Sequence, residues 1–224
     1  MTAKMGAGMA SYIEASATSP LKVQRWEDYD LYCHFVAGLV GEGLSRLFAE
    51  STIERPWLGD QLQLANHMGL FLQKTNIIRD YAEDCAESRF FWPRDCWGDA
   101  RYHGGFDAQA DVARGIEPIG ASAGGAQIVA RGAQYQAVGE DGKAAMYVLS
   151  GMLADAVSHA THSLDYLAVL RDQSVFNFCA IPQVMAIATL EALAGNPDVF
   201  KRNVKIRKSQ AVQVSFSSQA PSLL

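Results

Sequence analysis

Apolar residues recur along most of this chain at steps of three and four, the period of one face of a helix. Between about Trp26 and Glu50 the apolar stripe runs through Tyr29, Tyr32, Val36, Leu39, Val40, Leu44 and Leu47. A second long helix is expected from about Asp60 to Glu87, with Leu64, Met68, Phe71, Leu72, Thr75, Ile78 and Ala82 on its inner face. It gives way at Phe90-Phe91-Trp92-Pro93, because proline lacks the N–H donor that a helix interior needs. A third stripe, Leu149, Met152, Leu153, Ala156, Val157, Ala160, Leu164 and Leu167, predicts a helix from near Ala144 to about Arg171. A fourth spans about Ser174 to Ala194, with a kink expected at Pro182, and Asn196-Pro197 opens a turn. Met1 to about Ala17 and Asp198 to about Ser215 read as shorter helices, and the tail beyond as frayed. No alternating segments are joined by hairpin turns, so the expected class is all-α.

Two features interrupt this pattern. Gly38, Gly41 and Gly43 lie inside a helical stretch, where each costs roughly 1 kcal/mol against alanine. They predict close approach by another backbone or a ligand. Residues 98–143 carry ten Gly and ten Ala with no sustained period and read as a long irregular insertion within a single domain spanning 1–224.

The chain has 224 residues, 49% of them hydrophobic, enough for one sizeable core. Its formal net charge of −5 excludes the strong basic excess of a nucleic-acid binder. Cys33, Cys85, Cys96 and Cys179 are widely spaced and suit reduced thiols better than a disulfide framework or zinc knuckle. The longest apolar run, Ala180 to Leu190, is shorter than the roughly 20 residues that span a bilayer. No transmembrane segment or signal peptide is therefore expected, and the chain by itself should be soluble.

The candidate chemistry lies on the second helix. Gln73, Asn76, Asp80, Glu83, Asp84 and Glu87 fall at steps of three and four and form a polar stripe on an otherwise apolar segment. Asp80 and Asp84 stand one turn apart, with no lysine along the stripe to offset them. A divalent cation would relieve their repulsion. Magnesium suits such a place because it takes oxygen ligands and is usually held by one or two carboxylates plus substrate phosphates. Arg79 and Arg89 flank the stripe and could clamp phosphate oxygens. A solvated acidic face is the competing account. His159 and His162 lie three apart, but no carboxylate or cysteine completes a metal site around them, so they read as surface or satisfied histidines. Gly120, Gly124 and Gly125 lack the preceding strand and the spacing of a dinucleotide fingerprint.

The run Asn76–Asp84, Asn-Ile-Ile-Arg-Asp-Tyr-Ala-Glu-Asp, closely resembles the second aspartate-rich motif of squalene synthases. The stretches Met68–Asn76, Tyr32–Gly41, Gly43–Phe48, Gln173–Leu190 and Val204–Lys208 resemble the same family in the same order. The resemblance covers roughly residues 1–97 and 144–213. It implies an all-α isoprenoid-synthase bundle in which two farnesyl diphosphates condense to presqualene diphosphate, which NADPH then reduces to squalene. It implies Mg2+ and diphosphate at Asp80 and Asp84 with Glu83 in support, and Gln73, Asn76, Arg79 and Arg89 lining the diphosphate end. Tyr32 matches a tyrosine with a catalytic role in the first half-reaction. Lys205 and Arg207 match basic residues near the NADPH phosphates, with Arg79 a further candidate.

Carbocation chemistry needs aromatic faces and a dry pocket, for which Tyr32, Phe176 and Phe178 are candidates. Plain core packing is the alternative for those three. By the same resemblance the family works at the cytosolic face of the endoplasmic reticulum membrane. Only one of the family's two aspartate-rich motifs is present here, its membrane anchor is absent, and the 98–143 stretch has no full counterpart. The chain therefore reads as a partial domain, expected to expose apolar helix faces and to be inactive alone. A phytoene synthase-like enzyme without the NADPH step, and a non-catalytic helical module binding lipid or protein, remain as alternatives.

Overall fold

The structure, a computed structural model, describes residues 2–18, 23–87, 89–98 and 140–206. The described residues hold helices and turns and no strand. In chain order the helices are α1 (Thr2–Thr18), α2 (Trp26–Cys33), α3 (Leu39–Glu50), α4 (Leu62–Arg79), α5 (Tyr81–Ala86), α6 (Arg94–Gly98), α7 (Glu140–Ser158), α8 (Ala160–Ala168) and α9 (Gln173–Leu193). Short 3-10 turns cover Pro56–Asp60 and Pro197–Phe200. Most of the 98–143 insertion lies outside the described residues.

Helix α4 is the axis of the fold. It buries Ala65, Met68, Leu70, Phe71, Ile77 and Ile78 on several sides, and so touches α2, α3, α7, α8 and α9 at once. A helix apolar around most of its circumference is stable only when surrounded. Two hydrophobic clusters flank it. One gathers Tyr29, Tyr32, Phe71, Ile78, Trp92 and Leu149. The other gathers Leu58, Met68, Tyr166, Leu167, Val175 and Cys179. All four cysteines are buried thiols and none is joined in a disulfide.

The long helices expected from periodicity are each interrupted. The helix through residues 26–50 contains a π-helical turn at His34–Gly38, where the His34 ring meets Asn66 Oδ1 of α4 at 2.7 Å. Such single-turn widenings accommodate a local intrusion into the ladder and recur at functional sites. The helix of residues 60–87 divides at Asp80, whose φ of −90° and ψ of 7° leave the helical region. Its side chain there bonds the neighbouring Arg79 guanidinium through both oxygens, at 2.7 and 2.6 Å. The third helix divides at His159 for a comparable reason: its ring is drawn into a polar cluster. The helix expected from Asp198 to Ser215 does not form over its described part. Only the 3-10 turn Pro197–Phe200 does, and residues beyond 206 lie outside the description.

Helix α9 has well-marked ends. The Asp172 carboxylate accepts from the N–H groups of Ser174 and Val175 as its N-cap. Past its C-terminus Gly195 takes φ of 66°, the left-handed conformation that glycine adopts without strain. The helix runs unbroken through Pro182. At 21 residues it is longer than the Ala180–Leu190 run, and by length and composition alone it could cross a membrane. Against that reading, it buries Cys179, Ala180, Gln183, Ala186, Leu190 and Leu193 within the fold. Before it, the buried Glu54 carboxylate accepts from the backbone N–H of Arg171 and Asp172 at 2.8–3.0 Å and so pins the α8–α9 turn. Several large apolar side chains face outward, Leu47 at 62% and Phe178 at 59% exposure among them.

Candidate functional site

The polar stripe survives the break at Asp80, because the N–H of Asp84 still bonds the carbonyl of Asp80 at 2.9 Å. Gln73, Asn76, Arg79 and Asp80 are half-buried and Asp84 is buried, while Glu83 and Glu87 are exposed. The two aspartates are not bare like charges. Asp80 pairs with Arg79, and Asp84 Oδ1 accepts from Nε and Nη2 of Arg89 at 3.0 and 2.7 Å. Arg89 also pairs with Glu87. No lysine offsets the two aspartates; the flanking arginines do, so the repulsion expected between Asp80 and Asp84 is already partly relieved. Even so, burial raises the Asp84 carboxyl above its ordinary range, and Arg89 only partly reverses the shift. The anionic form is therefore under-solvated, and further positive charge beside it would be favourable. Carboxylates with unused oxygen lone pairs suit a hard cation such as Mg2+.

Tyr32 stands beside this stripe. It is 7% exposed, its ring stacks on Phe91 at 4.8 Å and meets Tyr12 edge-on at 4.9 Å, and its hydroxyl feels the charges of Asp84 and Arg89. Burial pushes its phenol up to about 12, so the group is neutral and keeps its proton. Phe176 and Phe178 are not brought to Tyr32. Phe176 packs on the second cluster, and the exposed Phe178 touches Phe48 edge-on at 6.1 Å. Lys205 is exposed on the segment that follows the last 3-10 turn, and Arg207 lies outside the described residues.

A second polar cluster was not foreseen from sequence. Lys74, on α4 between Gln73 and Thr75, has a fully buried side chain. Its Nζ lies 2.5 Å from Asp30 of α2, 2.7 Å from Asp155 of α7 and 2.8 Å from Nε2 of His159. Asp30, Asp155 and His159 could by themselves hold a metal ion. The ammonium already fills the space between them, so they form a lysine socket. The His159 reading thus needs correcting: the histidine is satisfied, but carboxylates do surround it. The Asp155–His159 spacing of four was the one local signal available.

Donation from Lys74 makes His159 Nε2 an acceptor, so its proton sits on Nδ1 and is donated to His67 Nδ1 at 2.7 Å. Burial, then Lys74 and His67, lower the His159 pKa to about 3. An unfolded histidine titrates near 6.5. Between those values the unfolded chain binds a proton that the native one refuses, so stability falls as pH drops from about 6.5. Discounting for solvent screening, the urea midpoint should register a loss of roughly 1–2 kcal/mol between pH 7 and pH 5. His159→Gln, which keeps an acceptor for Lys74, should flatten that slope. An equal slope in the variant would remove His159 as the cause.

Comparison with known proteins bears on the family of the chain. The family model described as squalene/phytoene synthase matches residues 1–210. A squalene synthase of Mycosarcoma maydis is 68% identical over 221 residues, covering 99% of this chain and 36% of that protein. The squalene synthase of Homo sapiens is 44% identical over 215 residues, covering 96% and 43% respectively. A solved structure described as the complex of TcSQS with the ligand E5700 superposes with a TM-score of 0.73 at 41% identity, covering 96% of this chain and 53% of that one. The chain thus spans less than half the length of these two curated relatives.

Proposed function

Since the chain belongs to the squalene/phytoene synthase family, we propose that it carries part of the active site of a farnesyl-diphosphate farnesyltransferase. The reaction joins two farnesyl diphosphates head to head through presqualene diphosphate and reduces that intermediate to squalene with NADPH. The observation that carries the reading is the paired-acid stripe of Asp80 and Asp84, flanked by Arg79 and Arg89 and set beside the buried phenol of Tyr32. Bound Mg2+ would supply positive charge to the departing diphosphate. Asp84 would hold it through Oδ2, which Arg89 does not bond, and Asp80 through the lone pair that Arg79 leaves open on Oδ2, with Glu83 in support.

Gln73 and Asn76, half-buried on the same face, would donate to the diphosphate. Arg79 and Arg89 can turn from the aspartates toward phosphate oxygens, for which their planar forks are suited. When the allylic C–O bond breaks, the electron pair leaves on the diphosphate and a carbocation remains. Tyr32, neutral and stacked on Phe91, offers it a ring face and a hydroxyl without the water that would quench it. Phe176 and Phe178 would line a more distant part of the hydrocarbon path. Lys205 and Arg207, with Arg79, would meet the NADPH phosphates. The complete enzyme would work at the cytosolic face of the endoplasmic reticulum membrane.

Calorimetry with Mg2+ and a non-hydrolysable farnesyl diphosphate analogue tests the reading without requiring turnover. Binding to the wild-type chain should weaken about 10- to 100-fold in Asp84→Ala, the size of a lost charge-assisted contact. Equal binding by the variant would defeat the assignment.

A further inference from the structure

The segment after the last 3-10 turn reaches back to the acidic stripe through one side chain. Phe200 meets Tyr81 edge-on at 5.4 Å, and Val199 and Val204 are buried, so residues 197–204 are fastened to α5. Between those anchors the Asn203 amide donates through Nδ2 to Asp80 Oδ1 at 2.6 Å and to Glu83 Oε2 at 3.1 Å. The orientation of that amide is fixed by charge. Two acceptor-only carboxylates lie on one side of it, so a flip would press its oxygen lone pairs against theirs. As a result Asn203 Oδ1 is buried with no described hydrogen-bond partner, a condition that folded proteins seldom leave in place.

The count of donors on the two aspartates gives this contact its meaning. Asp80 Oδ1 accepts from both Arg79 Nε and Asn203 Nδ2, which uses its two lone-pair directions, while Oδ2 accepts only from Arg79 Nη2. Asp84 Oδ1 is likewise filled by Nε and Nη2 of Arg89. Among the described residues, Asp84 Oδ2 receives no donor and Asp80 Oδ2 keeps one direction open. We propose that Asn203 is a positioning residue of the acidic stripe: it saturates Asp80 Oδ1 and holds Glu83, leaving Oδ2 of Asp80 and Oδ2 of Asp84 for a divalent cation. The inference rests on reading the stripe as a cation site.

Calorimetric titration of the full chain with Mg2+ in the presence of inorganic pyrophosphate tests it. Asn203→Ala should weaken the apparent Mg2+ affinity roughly three- to tenfold, the effect of one lost hydrogen bond. Asn203→Ser, whose hydroxyl is too short to reach both acids, should lose a similar factor. Arg202→Ala, whose guanidinium pairs with Asp198 instead, should leave the affinity unchanged. A purely structural role for Asn203 would lower the thermal midpoint and leave Mg2+ affinity alone. Affinity within about twofold of wild type, or tighter binding, in both Asn203 variants would overturn the proposal. If the wild-type chain fails to bind Mg2+, or binds it equally after Asp84→Ala, the cation reading itself falls. Loss with Asp84→Ala but not with either Asn203 variant defeats only the positioning role.

Discussion

Lys74→Met should lower the stability of this fold by roughly 3–5 kcal/mol, the range for removing one partner of a buried charge cluster. The ammonium is fully buried and sits among Asp30, Asp155 and His159, with the Tyr29 ring 5.1 Å away. Methionine matches the lysine stem in length, so little packing is lost and charge dominates the result. Asp155, only 22% exposed, would be left without its counter-ion, and burial already pushes its carboxyl above the ordinary range. Asp30 is 47% exposed and solvent would screen much of its share. For a chain of this size the thermal midpoint should fall by about 10 °C. Adding Asp155→Leu to Lys74→Met should recover part of the loss, because an apolar replacement removes the orphaned charge. A single variant within about 1 kcal/mol of wild type in urea unfolding would show that the cluster is not a significant source of stability.

Gly69→Ala is the second large effect expected. A Cβ at Gly69 would lie 2.5 Å from the carbonyl oxygen of Ala37, 2.6 Å from its carbon and 2.7 Å from the nitrogen of Gly38. All three are backbone atoms, so no side-chain rotation relieves the clash. From the opposite side, a Cβ at Gly41 would lie 2.4 Å from the carbonyl oxygen of Ala65. The two helices therefore cross with their backbones in contact, and alanine must separate them. Overpacking of this kind costs roughly 1–3 kcal/mol and occasionally more. It exceeds the gain of about 1 kcal/mol that alanine brings to a helix interior. The displaced π-turn follows directly on α2, so the Tyr32–Phe91 stack should loosen as well. Gly6→Ala is the control: nothing lies within 4 Å of its Cβ, and the variant should be neutral or slightly stabilised. A Gly69→Ala chain as stable as wild type in urea would contradict the crossing described here.

Helical periodicity is a local property, and it was readable. The stripes around Tyr32, Phe71, Leu149 and Val175 all became helices, and the spacing of Gln73, Asn76, Asp80 and Asp84 put them on one polar face because 3.6 residues per turn requires it. Crowding at Gly38 and Gly41 was readable for a related reason: glycine is a poor choice inside a helix unless space forbids a side chain. The breaks at Asp80 and His159 were not readable, since each follows from where a side chain is drawn by its partners.

Charge partners across the fold were hidden for the same reason. Lys74 meets Asp30 and His159 from 44 and 85 positions away, and Asn203 reaches Asp80 across 123. Phe176 and Phe178 shared a motif-like run with the family but not a cluster with Tyr32. By itself the sequence determined the helical class, the faces each helix would bury and the acids one turn apart, because short-range sterics and backbone hydrogen bonding set these. Only the tertiary structure decided which cation sits against which acid. That choice depends on distances between helices, and these are set by how whole faces pack.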